Sequence, residues 1–133
     1  IIRAPKDTLI DGMSVLTFAI SRPPKSVQQI IDDYKIDVNT DIDYFLIHQA
    51  NKLIVDRAVK KLHLPLKKVP YDLEEFGNLG GASIPSLMVT RIAEPMRSEK
   101  PIKMLCSSFG LGLSWGTMII TANNVIIPEL IEI

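Results

Sequence analysis

His48 closes the stretch Asp43-Tyr44-Phe45-Leu46-Ile47-His48-Gln49-Ala50-Asn51, and Asn78 stands thirty positions later in Gly77-Asn78-Leu79-Gly80-Gly81-Ala82-Ser83-Ile84-Pro85. A neutral imidazole and a carboxamide each offer an N–H donor. Two such donors aimed at one carbonyl oxygen stabilise the negative charge of an oxyanion or an enolate. A third stretch, Phe109-Gly110-Leu111-Gly112, has backbone N–H groups around Gly110 and Leu111 that could form a second such hole. Each stretch also has a plainer reading. A lone histidine after a strand is usually structural, an asparagine among glycines is usually a turn residue, and Phe-Gly-Leu-Gly is usually a hairpin link. Cys106 lies in an apolar run and reads as a small buried hydrophobe rather than a nucleophile. His63, at a helix end near Pro65, takes no role.

The elements that must position these residues follow from local pattern. Residues 44–47 are uniformly apolar and too few for a helix, so they predict a buried strand. Asn51 is placed to N-cap a helix over 52–62, with Ile54, Val55, Ala58, Val59 and Leu62 inward and Pro65 as its stop. Residues 69–73 read as a short strand or extended segment leading, through Glu74-Glu75-Phe76, into the glycine turn. A helix over 83–97 follows, with Leu87, Ile92 and Ala93 inward, Pro85 in its first turn and Pro95 ending or bending it. Strands at 102–107 and 113–122 are joined by the 109–112 link as a hairpin.

Upstream, residues 1–10 are sparse in pattern and Asp11-Gly12 signals a turn. Helical spacing over 13–21 is interrupted by Pro23-Pro24 and resumes over 26–34, as two helices or one kinked helix. A polar connector covers 37–43, and the apolar tail 123–133, broken by Pro128, is a candidate edge segment. The order describes an α/β fold: a mixed sheet with helices on its faces and a C-terminal antiparallel strand pair. Ligands of such sheets gather at the carboxyl ends of the strands, so His48, Asn78 and the glycine link are expected on one rim.

Composition narrows the function classes. A chain of 133 residues suggests one domain, and 47% hydrophobic residues suffice for a core. Zero formal net charge gives no bulk reason to expect nucleic acid. No apolar run reaches membrane-spanning length. One cysteine excludes an internal disulfide and fits a reducing, cytoplasmic setting. Because Ile1 rather than Met comes first, the chain is expected to be a piece of a longer protein. Charge is unevenly spread. Lys52, Arg57, Lys60, Lys61, Lys67 and Lys68 face only Asp56 across 52–68, whereas Asp32, Asp33, Asp37, Asp41 and Asp43 precede them. Most such lysines simply solvate a helix face. The functional reading is a landing patch for an acidic partner.

Taken in order, His48-Gln49-Ala50-Asn51, Gly77-Asn78, Ala82-Ser83-Ile84-Pro85 and Phe109-Gly110-Leu111-Gly112-Leu113-Ser114-Trp115-Gly116 resemble the C-terminal half of β-ketoacyl-ACP synthase III. Asp11-Gly12 followed by Val15 and Phe18 resembles the start of that half. The likeness runs over about residues 11–120, making 1–133 the C-terminal thiolase-like domain of a longer condensing enzyme, with 123–133 as its tail. It implies a thiolase-like fold, in which two similar halves pack as five α/β layers. It also implies a nucleophilic cysteine in the N-terminal half, which takes an acyl group from acyl-CoA. Malonyl-ACP then decarboxylates and its carbanion attacks the acyl-cysteine, a step of fatty acid biosynthesis that needs no cofactor. His48 and Asn78 match the family's enolate-binding pair, and the backbone N–H of Leu111, beside Gly110, matches the acyl-oxyanion position. The helix carrying Lys52, Arg57, Lys60 and Lys61 matches the surface that meets acyl carrier protein. The family also implies a homodimer.

The chain departs from the family pattern in places. Leu79-Gly80-Gly81 stands where Thr-Ser-Ala or similar is common, Leu111 replaces a frequent glycine, leucine occupies position 53, and Pro23-Pro24 is unexpected. These bear on substrate more than on fold. One alternative is a thiolase-fold acyltransferase of a polysaccharide or secondary-metabolite pathway, with His48 as general base. Another is a non-catalytic scaffold that pairs with an active partner. Cys106 matches no catalytic position of the family, so this piece alone is expected to be inactive.

Overall fold

Two strands buried on both faces hold the chain together. A computed structural model describes residues 11–131. The expectation for residues 1–10 and the last two positions of the tail lie outside the described residues. In chain order the elements are α1 (Gly12–Ala19), α2 (Arg22–Asp33), β1 (Tyr44–Ile47), α3 (Lys52–Lys61), α4 (Leu73–Phe76), α5 (Ser83–Thr90), α6 (Ala93–Arg97), β2 (Ile102–Gly110) and β3 (Ser114–Ala122). Single 3-10 turns lie at Leu66–Lys68 and Gly80–Ala82. None of the described helices is long and apolar enough to cross a membrane.

The sheet order is β1-β2-β3. β1 and β2 run parallel, with Tyr44 opposite Met104 and Ile47 opposite Ser107. β2 and β3 run antiparallel, with Ile102 opposite Ala122 and Gly110 opposite Ser114. At one end the Asp43 side chain extends the ladder, its Oδ2 accepting from Lys103 N–H at 2.7 Å while Asp43 N–H donates to Lys103 O at 2.8 Å. At the other end His48 N–H donates to Ser107 O at 2.9 Å.

Alternation sorts the strand residues to two faces. Phe45, Ile47 and Leu105 pack against Val27 and Ile31 of α2 and Val55, Ala58 and Val59 of α3. Leu46, Met104 and Cys106 pack against Leu87 of α5 and Ile92 and Met96 at α6. Helices on both faces are why 44–47 reads as an unbroken apolar run.

Caps and prolines set the helix ends. Asp11 Oδ1 accepts from Met13 and Ser14 N–H at 3.1 and 3.3 Å, so the expected turn at Asp11-Gly12 is the N-cap of α1. Asn51 caps α3, its Oδ1 accepting from Ile54 N–H at 2.9 Å. Pro23 and Pro24 do not interrupt a helix. They occupy the first turn of α2, where a missing N–H has no intrahelical partner to lose, and the break falls earlier, at Ile20–Ser21.

Three further expectations are corrected. Of the two readings of residues 69–73, a short strand or an extended segment, no strand forms: Val69 is extended, Leu73 opens α4, and the described sheet has three strands. Pro70 removes a ladder donor, and Tyr71 O is taken by Arg91 Nε at 2.7 Å. The helix expected over 83–97 is two. Pro95 lacks an N–H and its ring would press on the carbonyl four residues back, at Arg91, so α5 stops at Thr90 and α6 begins at Ala93. The described part of the tail, residues 123–131, adds no strand to the sheet. It turns back over α6, with Asn124 N–H on Ser98 O at 2.8 Å, Val125 N–H on Met96 O at 2.9 Å and Arg97 Nη2 on Ile127 O at 2.8 Å. Val125 and Ile127 then cover the second face of the core.

β3 leaves apolar side chains open on both its faces. Trp115 and Ile119 on one are 47% and 37% exposed, Met118 on the other is 56% exposed, and Leu111 in the link before β3 is 85% exposed. Such a surface drives association. The chain expressed alone is expected to run above its monomer mass on size-exclusion chromatography with light scattering. Separately, Asn51→Ala in the full-length protein is expected to cost about 1 kcal/mol of stability, read by urea denaturation, because Ile54 N–H loses its acceptor.

Candidate active site

Because β1 and β2 are parallel, their carboxyl ends meet at one rim. His48 stands there as the first residue past β1, buried at 5% exposure. Its ring meets Phe109 of β2 edge-on, with centroids 4.8 Å apart and planes at 84°. Phe109 in turn lies 6.0 Å from Phe18 of α1, which lies 5.4 Å from Trp115 of β3. The imidazole is therefore propped by a chain of aromatic rings joining three elements. The sequence reading named His48 but missed this support; Phe18 lies within the helical spacing over 13–21, which does not show what it would meet.

Burial lowers the His48 pKa below its ordinary value, because desolvation disfavours the imidazolium. Its Nδ1 is sealed from solvent and has no hydrogen-bond partner. A proton on Nδ1 would be an orphan donor, so the favoured tautomer carries its N–H on Nε2. Gln49 is fully buried beside it, with Nε2 donating to Ile47 O at 2.8 Å and Oε1 unpartnered. Ser83 Oγ, at the start of α5, is likewise buried and unpartnered.

Asn78 is exposed in the turn between α4 and α5. Its Oδ1 accepts from Gly80 N–H at 3.0 Å, which turns the carbonyl end into the loop and leaves the NH2 end free of that bond. Gly77 and Gly80 take positive φ values of 67° and 56°, which glycine tolerates best. The structure thus places His48 against Phe109 and beside the glycine link, while the Asn78 side chain bonds locally.

Gly110 ends β2, and Leu111 begins the link to β3. Both are exposed, and Leu111 O accepts from Ser114 Oγ at 2.7 Å. Cys106 lies within β2 at 5% exposure, and burial pushes its thiol up to about 11. It stays protonated at neutral pH and is no nucleophile, in keeping with the sequence reading.

The exposed face of α3 carries Lys52, Arg57, Lys60 and Lys61. Lys52 Nζ lies 4.8 Å above the Tyr71 ring, and Lys61 Nζ reaches Ile20 O at 3.3 Å. Lys68 does not belong with this face, although its place in the basic run suggests so. Its Nζ donates to Asn39 O at 2.7 Å and also to Ile42 O, tying down the connector before β1.

Residues 36–122 match the family described as 3-oxoacyl-[acyl-carrier-protein (ACP)] synthase III C terminal. The chain is 41% identical over 115 residues to a beta-ketoacyl-[acyl-carrier-protein] synthase III of Streptococcus pneumoniae, covering 84% of this chain and 35% of that protein. It therefore spans about a third of the length of the curated relatives it matches. Among solved structures, it superposes on a 3-oxoacyl-(acyl-carrier protein) synthase from Burkholderia xenovorans with a TM-score of 0.85 at 30% identity, covering 96% of this chain and 36% of that one. A 3-oxoacyl-(acyl carrier protein) synthase III from Pseudomonas aeruginosa gives 0.76 at 26% identity, covering 96% and 39%. The priming beta-ketosynthase of a polyketide biosynthetic pathway gives 0.70 at 27% identity, covering 86% and 34%. The three-stranded mixed sheet flanked by helices is accordingly part of a thiolase-like α/β fold. With residues 36–122, more than half of the chain, matched to the family's C-terminal region, this chain belongs to the 3-oxoacyl-[acyl-carrier-protein] synthase III family.

Proposed function

We propose that the chain is the C-terminal part of a 3-oxoacyl-[acyl-carrier-protein] synthase III that condenses an acyl group from acyl-CoA with malonyl-ACP, losing CO2, in fatty acid biosynthesis. The observation that carries this is the buried imidazole of His48 at the strand rim, held neutral by desolvation and propped against Phe109. When malonyl thioester loses CO2, the electron pair left on carbon delocalises onto the thioester oxygen. Two neutral N–H donors, His48 Nε2 and Asn78 Nδ2, hold that oxygen as its charge grows. The enolate carbon then attacks the carbonyl of the acyl group held as a thioester on the cysteine of the N-terminal half; backbone N–H groups at Gly110 and Leu111 receive its oxyanion, which collapses, breaks the C–S bond and releases the cysteine thiolate.

The nucleophile comes from outside this chain, since Cys106 is buried and protonated. The piece alone is then inactive and works with the N-terminal half of the same enzyme, in a cytoplasmic homodimer. Acyl carrier protein, an acidic partner on this reading, docks on Lys52, Arg57, Lys60 and Lys61. The likeness to a priming ketosynthase of polyketide synthesis, together with Leu79-Gly80-Gly81 beside Asn78, favours as second reading an acyl transfer in a specialised pathway.

In the full-length enzyme, Asn78→Ala is expected to slow CO2 release from malonyl-ACP about 100-fold. An unmutated enzyme that transfers acyl groups but releases no CO2 would overturn decarboxylative condensation and support the second reading. The neutral imidazole also has a pH signature. Unfolded, His48 titrates near its ordinary value of about 6.5; folded, it titrates lower, so the unfolded state binds more protons in that range. Its stabilising contribution is full above about pH 6.5 and is lost as pH falls below it. Urea midpoints measured from pH 7.5 to 5 are expected to decline less steeply for His48→Gln than for the unmutated protein.

A further inference from the structure

The turn that carries Asn78 has no core beneath it: residues 77–82 are all exposed. Its ends are held instead, and the most buried tie is a carboxyl group. Asp72, just before α4, is 2% exposed. Its Oδ2 accepts from Ser86 Oγ at 2.6 Å, and Thr90 Oγ1, which shares its one proton with Ser86 O at 2.8 Å, lies 3.2 Å away; both are on α5 beyond the turn. Its backbone oxygen accepts from Glu75 and Phe76 N–H at 3.1 and 3.0 Å, so the same residue starts α4. Among the described residues no cation pairs with it. The neighbouring tie is at the surface, where Arg91 joins Tyr71 O at 2.7 Å and Glu75 at 2.9 Å.

A carboxyl group buried on hydroxyls alone is a costly way to join two segments that apolar side chains could join more cheaply. What it offers is direction, since short hydroxyl–carboxyl bonds define an angle as well as a distance. We propose that Asp72, acting through Ser86 and Thr90, is a positioning residue for Asn78: it clamps the base of the turn so that the carboxamide is held where the enolate oxygen forms. The inference rests on the reading of Asn78 as an enolate donor. Nothing in Tyr71-Asp72-Leu73 marks the residue, because its partners lie 14 and 18 positions away.

The test is a double-mutant cycle in the full-length enzyme, following CO2 release from malonyl-ACP. Asp72→Ala is expected to lower kcat about tenfold, with KM little changed, as misplacement of a reacting group does. In an Asn78→Ala background the same change is expected to have no further effect. Asp72→Asn, which keeps an acceptor oxygen for Ser86, is expected to restore most of the rate. Equal losses in both backgrounds would mark a merely structural role and overturn the proposal. A full-speed Asp72→Ala enzyme beside a slow Asn78→Ala enzyme would overturn the positioning role alone. A full-speed Asn78→Ala enzyme would overturn both this inference and the reading beneath it. Should Asp72→Ala fail to fold, Ser86→Ala with Thr90→Val removes the same donors, and the same outcomes decide.

Discussion

The parallel pairing of β1 with β2 is the constraint on which the rest depends. Four residues of β1, opposite Met104, Leu105, Cys106 and Ser107, bring two carboxyl ends to one edge. Both core clusters are built on this pair, Phe45 with Leu105 on one side and Leu46 with Met104 on the other. A register slip of one residue would exchange the two faces and carry His48 away from Phe109. The Asp43 and His48 bonds at the two ends of the pair pin the register that the apolar packing selects.

The same burial has opposite chemical consequences for two residues near that edge. For His48, loss of solvent removes charge and leaves a neutral ring suited to donating one hydrogen bond. For Cys106, loss of solvent keeps the proton on sulfur and withdraws the thiol from chemistry. Desolvation disfavours whichever form is charged: imidazolium in one case, thiolate in the other. One physical effect thus sorts the two groups into a candidate donor and a core residue.

Polar ties do the work that the core does not reach. Lys68 holds the connector before β1 through backbone oxygens, Arg97 holds the tail through Ile127 O, and Asp72 joins the two sides of the glycine turn. Each lies where the chain leaves the apolar clusters and would otherwise be set only by loop entropy. Glycine supplies the backbone freedom at 77 and 80, and the flanking bonds take some of that freedom away.

Much of this architecture is legible in the residues themselves. The apolar run at 44–47, the Asn51 cap and the inward set of α3 are signals carried within a few positions, and each appears in the structure where pattern puts it; the hairpin after β2 also forms, but β2 runs on through Phe109 and Gly110, so its link is 111–113 rather than 109–112. The ordered motifs around His48, Asn78 and Phe109 were enough to point to the family. Other features depended on the assembled fold. Pro95 divided a predicted helix through a carbonyl four residues back, Tyr71 O went to Arg91 rather than to a strand ladder, and Lys68 was drawn from the basic face by carbonyls 26 and 29 positions away. The neutrality of His48 and the burial of Asp72 belong to the same class. Sequence determines what a segment prefers by itself; only tertiary packing decides which polar groups lose water and which distant partner replaces it, because desolvation belongs to the assembled surroundings of an atom and to no short stretch of chain.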